Sequence, residues 1–357
     1  VSRSLHDCEL EVLPGLEPFA EDELRERCGA HAVLARGQPP GALRFRLAGD
    51  LARLLGFRSA TAAYLVRRFD APRPRALLGN QQLGALEAVL KTALALWPPG
   101  TFRTLRLSAA GEDSSVMARL RDELARRAGL EPTPGDGDML VRVRPARSGG
   151  WEVLVRLSPR PLSTRPWRVC NLPGALNAAV AHVMMRLTGP RPGDRVLNLA
   201  CGSGTLLIER LALGPAAWAA GCDTDPAALA CARENLAAAG FAGAARLEAW
   251  DAGALPLADG SVDVLCADLP FGQLVGSHAA NETLYPRLLA EAGRVAATEA
   301  RMVLVTHELR LLDRVMARQS GIWRLVRHFR VRVSGMTPGV YLLERCKGTQ
   351  VSCDGGA

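Results

Sequence analysis

Lysine is almost missing from this 357-residue chain, so arginine carries nearly all of its positive charge. An arginine-rich stretch therefore reflects composition before it reflects a partner. No apolar run reaches the roughly 18 residues that a membrane-spanning helix needs, and no early apolar segment resembles a secretory leader. The expectation is a cytoplasmic protein with no membrane partner. Nine cysteines are present without a Cys-x-x-Cys pair, which argues against a zinc site and against a disulfide framework. Cys201, Cys222 and Cys266 fall on expected strands or strand edges, where a reduced thiol serves as a small core residue. Two nucleotide-binding motifs are lacking as well. Gly202-Ser203-Gly204 is followed by Thr205-Leu206, not by the Lys-Ser/Thr of a phosphate-cradling loop. Leu207 stands where the dinucleotide fingerprint has its third glycine.

What is there begins with VLNLACGSGTLLIE (196–209), a buried strand running into a glycine turn and then a helix. Glycines suit a turn where a ligand lies against bare backbone. The segment AAGCDTDPAALACARENLAAAG (219–240) predicts a second strand-turn-helix unit. Its strand ends at Asp223, about twenty residues past the glycine turn, the spacing at which a carboxylate accepts hydrogen bonds from ribose hydroxyls. Asp225 before Pro226 predicts a helix cap. Trp250-Asp251 ends a third expected strand, offering an apolar face and a carboxylate to a base with an exocyclic amine. Residues 262–267 form a fourth strand that delivers Asp268-Leu269-Pro270-Phe271-Gly272 to the carboxyl edge of the sheet. Ligands of open α/β sheets bind at that edge.

The series ACGSGT, GCDTDP, WDA and DLPFG resembles the S-adenosylmethionine (SAM) site of class I methyltransferases. Its fourth member resembles the motif of enzymes that methylate exocyclic amino groups of nucleic-acid bases. The resemblance implies an α/β fold with a Rossmann-like, seven-stranded and mostly parallel sheet. It implies that Gly202 and Gly204 pass under the methionine part of SAM, that Asp223 holds the ribose and that Asp251 holds the adenine amine. Asn198, Ala200, Thr205, Thr224, Trp250, Ala252 and Asp268 complete the implied cofactor contacts. Asn198 stands where many relatives have an acidic residue, and its carbonyl can still meet the methionine amino group. Asp268 and the Pro270 region would hold the target amine, and Phe271 would stack on the target base. No metal is implied. ARMVLVTHE (300–308) predicts a fifth strand, with His307 read as structural or as lining an RNA groove. FRVRVSGM (329–336) and GVYLLERCK (339–347) predict a closing antiparallel pair.

Charge divides unevenly. Residues 1–170 carry 26 Arg+Lys against 19 Asp+Glu, whereas residues 171–357 carry 18 against 17. A basic surplus outside the catalytic half suits a module that grips phosphates. Arg58, Arg67, Arg68, Arg73 and Arg75 are its densest part and the candidate RNA contacts. The first half predicts a strand, a Pro-Gly turn and a helix closed by Gly29. A helix at 82–97, a strand at 101–111, a helix ending before Gly129 and a final hairpin follow further along. The motifs LPGLEPFAEDEL and PLSTRPWRVCNLPGALNAAVA make this α+β half similar to the THUMP region of RNA-modifying enzymes with its small ferredoxin-like neighbour. The expected division is a ferredoxin-like domain at 1–75, THUMP at 76–158, a linker at 159–175, the methyltransferase domain at 176–346 and a tail at 347–357. LPGALN (172–177) is expected to approach SAM. The family implies action on the acceptor end of tRNA, methylating the N2 amine of a guanosine, and the protein is expected to be a monomer. The alternatives are a guanosine of 23S ribosomal RNA, adenine N6, or RNA binding without catalysis.

Overall fold

The computed structural model describes residues 4–270 and 277–346. Phe271 and the expected tail lie outside the described residues. The chain divides into two compact units, 1–164 and 165–357.

The first unit holds strands β1 (Leu5–Glu11), β2 (Ala32–Leu34), β3 (Ala42–Ala48), β4 (Ala62–Phe69), β5 (Thr104–Ala109), β6 (Glu131–Pro132), β7 (Met139–Pro145) and β8 (Trp151–Arg156). They form one sheet in the order β2-β3-β1-β4-β8-β7-β5-β6. Helices α1 (Glu17–Cys28), α2 (Asn80–Leu94) and α3 (Ser115–Ala128) accompany it. Helix α3 shows why the boundaries were readable. The Ser114 side chain caps its start and Gly129 ends it in the left-handed conformation at φ 68°. Antiparallel pairing of β4 with β8 makes residues on both sides of position 75 part of one sheet. Glu9 and Glu152 are buried in this unit. Arg44 reaches Glu9 at 3.0 Å and Glu152 at 2.7 Å, and Arg144 also binds both. Part of the basic surplus is thus neutralised within the sheet.

The second unit contains α4 (Ala178–Leu187), β9 (Arg195–Leu199), α5 (Thr205–Leu211), β10 (Trp218–Cys222), α6 (Pro226–Ala238), β11 (Arg246–Glu248) and β12 (Val262–Asp268). After these come α7 (His278–Val295), β13 (Ala296–Thr306), α8 (Leu309–Arg318), β14 (Trp323–Arg330) and β15 (Gly339–Arg345). Their order is β11-β10-β9-β12-β13-β15-β14, and β15 alone runs against the others. Central strands β9, β10 and β12 are apolar and almost wholly buried, as a sheet covered on both faces requires. The chain leaves β9 toward β10 on one side, while β12 lies on the other. The loops after β9 and β12 therefore open at a topological switch point.

Three expectations change. The closing strand is β14 at 323–330, not 329–336, because Ser334 (φ 48°) and Gly335 (φ 82°) turn the chain within the later stretch. Cys170 and Cys231 are disulfide-bonded, with Cα atoms 5.4 Å apart. Their separation of 61 residues left no local signature. Residues 165–175, expected as linker, belong to the second unit. Arg165 and Trp167 are buried, and Arg165 binds the fully buried Glu209 at 2.9 Å. The other cysteine expectation holds: Cys201, Cys222 and Cys266 are buried free thiols, and burial raises the pKa of each.

A buried ionic cluster fastens the base of the second unit. Asp194 accepts from Arg210 at 3.2 Å and from Arg301 at 2.5 Å, with Arg210 fully enclosed. Removing one partner strands the other charges in a poorly solvating interior. Asp194→Ala is therefore expected to destabilise the protein by about 3–5 kcal/mol, measured by chemical denaturation. A loss under about 1 kcal/mol would show that the arginines find other partners.

Candidate functional site

Parallel register sets the site. Gly221 of β10 and Cys266 of β12 flank Asn198 of β9, and Ala267 lies beside Leu199. Beyond them, Ala200 adopts φ 45° and Gly202 and Gly204 adopt 52° and 79°. The turn is closed by Cys201 N–H donating to the Cys222 carbonyl at 2.8 Å. Asp223 completes it, accepting from Gly202 N–H at 2.9 Å and from Asp225 N–H at 3.0 Å. An ionised carboxylate has about four acceptor positions, so capacity remains for ribose hydroxyls. Asp225 caps α6 through Ala227 N–H at 2.9 Å, as expected.

The two glycines have different reasons. A Cβ on Gly204 would lie 3.2 Å from the Cβ of Ala232, so this residue allows α6 to approach. A Cβ on Gly202 meets nothing within 4 Å and would project into open space beside the turn. Asn198 is buried. Its amide donates to the carbonyls of Leu199 and Cys266, both at 3.2 Å. Its Oδ1 is buried and has no hydrogen-bond partner among the described residues. An unpaired acceptor beside the turn fits the ammonium of a bound amino acid group.

Asp251 lies past the end of β11 and is half exposed. The Gly253 N–H at 2.8 Å and the Arg287 guanidinium at 3.0 Å hold its carboxyl below the usual carboxylate range. Trp250 packs on the core and Ala252 is buried, whereas Thr224 is exposed. Thr205 is buried, and its hydroxyl accepts from Arg168 at 3.0 Å.

Asp268 ends β12. Its Oδ1 is buried with no hydrogen-bond partner among the described residues, although the residue keeps some exposed surface. Desolvation pushes its pKa up to about 7. The Pro270 carbonyl accepts from Asn281 Nδ2 and from the Tyr285 hydroxyl, each at 2.9 Å. Two side chains of α7 thus converge on this one carbonyl. Desolvation lowers the pKa of the partly buried His307.

Sequence reasoning missed the residues that hold these groups from behind. The buried side chain of Asn235 accepts from Val169 and Cys170 N–H at 3.0 Å and donates to the Cys170 and Ser203 carbonyls at 3.0 Å. It ties the segment before LPGALN to the glycine turn. Its position inside α6 resembles any polar helix residue, so nothing announced it. The candidate RNA arginines belong to the first unit. Adjacent Arg67 and Arg68 on β4 point to opposite faces of the sheet. Arg68 binds the carbonyls of Ser148 and Gly149 at 3.3 and 3.2 Å. Arg73 and Arg75 are exposed beside the turn at 74–78, and Arg58 is partly buried near Glu23.

Comparison with known proteins is decisive at this point. The RMKL-like methyltransferase domain family UPF0020 matches residues 165–338. A Thermus thermophilus tRNA (guanine(6)-N2)-methyltransferase is 34% identical over 287 residues, covering 76% of this chain and 82% of that protein. The chain belongs to the tRNA guanine-N2 methyltransferase family. A crystal structure of TrmN from Thermus thermophilus superposes with a TM-score of 0.72 at 28% identity, over 96% of this chain and all of that one. The human tRNA (guanine(6)-N(2))-methyltransferase THUMP3 is 34% identical over 190 residues. That match spans 48% of this chain but 36% of the human protein's length. Among the described residues no cluster of side chains suits a metal ion, and no helix is long and apolar enough to cross a membrane.

The glycine pair gives a test. Both substitutions force a left-handed alanine, costing about 1–2 kcal/mol, but Gly204→Ala also crowds Ala232. Gly204→Ala is expected to lower the melting temperature more than Gly202→Ala. Gly202→Ala is expected to weaken SAM binding more per degree of lost stability. Thermal melts and calorimetric titration check both, and the reverse order would refute the assignment.

Proposed function

We propose that this chain is a SAM-dependent methyltransferase that methylates the exocyclic N2 amine of a guanosine in tRNA, near the acceptor stem. The desolvated Asp268 carboxylate at the end of β12, beside the glycine turn, carries this reading. Asn198 Oδ1, Asp223 and Asp251 would hold the ammonium, ribose and adenine amine of SAM. Bound SAM supplies an electrophilic methyl group on a sulfonium.

The protein's task is to make a weak nucleophile competent. A guanine N2 amine delocalises its lone pair into the ring. An acceptor on its N–H groups biases the nitrogen toward tetrahedral geometry and turns the lone pair out of the ring plane. Asp268 does this as a carboxylate and afterwards receives the proton that the methylated nitrogen sheds. A carboxylate in a site that excludes water interacts with a developing ammonium more strongly than one in solvent. The target base leaves its stack to reach the site, as base-modifying chemistry requires. Phe271, three residues after Asp268, is the proposed stacking platform. The first unit, comprising the proposed ferredoxin-like (1–75) and THUMP (76–158) domains, would grip the acceptor end, with Arg67, Arg73 and Arg75 offered to phosphates. The protein is proposed to act as a monomer.

The test incubates the protein and labelled SAM with separate tRNA and ribosomal RNA pools from a strain lacking the gene, followed by nucleoside analysis. Label in N2-methylguanosine of tRNA is expected. Label only in ribosomal RNA, or in N6-methyladenosine, would overturn the substrate assignment. Asp268→Ala is expected to keep SAM binding and lose on the order of a hundredfold or more in kcat.

Acidity gives a further prediction. With Asp268 raised from 3.8 to about 7, falling pH protonates the carboxyl through neutrality and removes one acceptor. The pH profile of kcat/KM for RNA is expected to rise through about pH 7 and then level. Asp268→Asn should flatten that acidic limb. An unchanged limb in this variant would assign it to another group.

A further inference from the structure

Asp268 ends β12 paired with Val305 of β13, and just beyond it Leu269 N–H donates to the Val305 carbonyl at 3.0 Å. The next contacts come from α7. Asn281 and Tyr285 are four residues apart, so both side chains lie on one helix face. Both donate to a single acceptor, the Pro270 carbonyl, each at 2.9 Å. Asn281, Tyr285 and Thr306 are all buried.

The direction of every proton in this group is determined. Pro270 supplies only an acceptor, so the Tyr285 hydrogen is committed to it. The 2.7 Å contact between Tyr285 and Thr306 then requires the threonine hydroxyl to donate. Thr306 Oγ1 in turn accepts from Glu308 N–H at 2.9 Å. The chain runs from the Glu308 amide through Thr306 and Tyr285 to the Pro270 carbonyl, without a frustrated link. Each member is polarised by the one behind it. Thr306 ends β13, and Asp268 pairs with Val305 of that strand, so the chain spans from β13 to the far side of the acceptor stretch.

We propose that Asn281 and Tyr285 are positioning residues that clamp the Pro270 peptide and thereby aim the Asp268 carboxylate at the target amine. The inference rests on the function proposed above for Asp268. It assigns these two side chains no contact with substrate or cofactor. Their work is angular: with Leu269 N–H fixed at one end and the Pro270 carbonyl at the other, the backbone carrying Asp268 has little freedom to rotate. It also explains why an otherwise ordinary helix carries an amide and a phenol on its buried face.

The variants are Tyr285→Phe and Asn281→Ala in the full chain, with Thr306→Ser and Thr306→Val as a conservative and a disruptive pair. SAM affinity is expected to stay within about twofold, while kcat on tRNA falls roughly ten- to a hundredfold, as small misplacements of reacting groups do. The acidic limb of the pH profile should shift in Tyr285→Phe, because the surroundings of the carboxylate change, and Thr306→Ser should restore what Thr306→Val loses. A purely structural role would leave the limb in place. Amide hydrogen exchange at Leu269 should quicken in Tyr285→Phe whether or not turnover can be measured. Wild-type kcat in Tyr285→Phe, parallel loss of SAM affinity and kcat, or unchanged exchange at Leu269 would overturn the clamp. A wild-type protein that methylates no RNA while exchange at Leu269 responds as expected would strike the proposed function and leave the clamp standing.

Discussion

The site depends on one contact, the Asp223 carboxylate accepting the Gly202 N–H at 2.9 Å. It joins the end of β10 to the turn that follows β9. With the bond from Cys201 N–H to the Cys222 carbonyl, it holds three residues with positive φ in an open loop at the sheet edge. A turn of left-handed residues is costly to leave unsupported. Here a neighbouring strand supplies the support through the same carboxylate that is assigned to the ribose. The proposed ribose contact would draw on the lone pairs that this structural role leaves free.

Asp268 shows the opposite economy. Every neighbour that could have stabilised its charge is withheld among the described residues, and its pKa rises toward neutrality. A carboxylate so placed is poorly solvated before a substrate arrives and well matched to a cationic transition state afterwards. The polar groups nearby are spent on the backbone instead. Asn281 and Tyr285 both donate to the Pro270 carbonyl. The acceptor loop is therefore rigid where it carries the carboxylate and electrostatically unsatisfied at the carboxylate itself.

Much of this was legible in the sequence because it is local. The glycine turn, the cap at Asp225, the acidic end of β10 and the DLPF stretch each announce themselves within a few residues, and their order along one sheet edge follows from strand periodicity. What escaped depends on distant partners. Asn235 and the Cys170–Cys231 pair act across more than 60 residues, so no window of sequence reveals them. The closing strand was misplaced because residues 329–336 alternate as well as 323–330 do, and alternation alone cannot see the turn at Ser334-Gly335. The five arginines of the first half were grouped by proximity in sequence. A strand sends neighbours to opposite faces, and that separates Arg67 from Arg68.

One edge of the second unit's sheet, from the glycine turn to Asp268, is the proposed cofactor and methyl-transfer site. A crystal structure of the protein with S-adenosylhomocysteine bound tests it most directly. The expected result is a ligand lying along the turn at Gly202, with its ribose on Asp223, its adenine beside Asp251, its ammonium at Asn198 Oδ1 and its sulfur directed toward Asp268. A ligand bound elsewhere, or one whose sulfur faces away from Asp268, would refute this assignment.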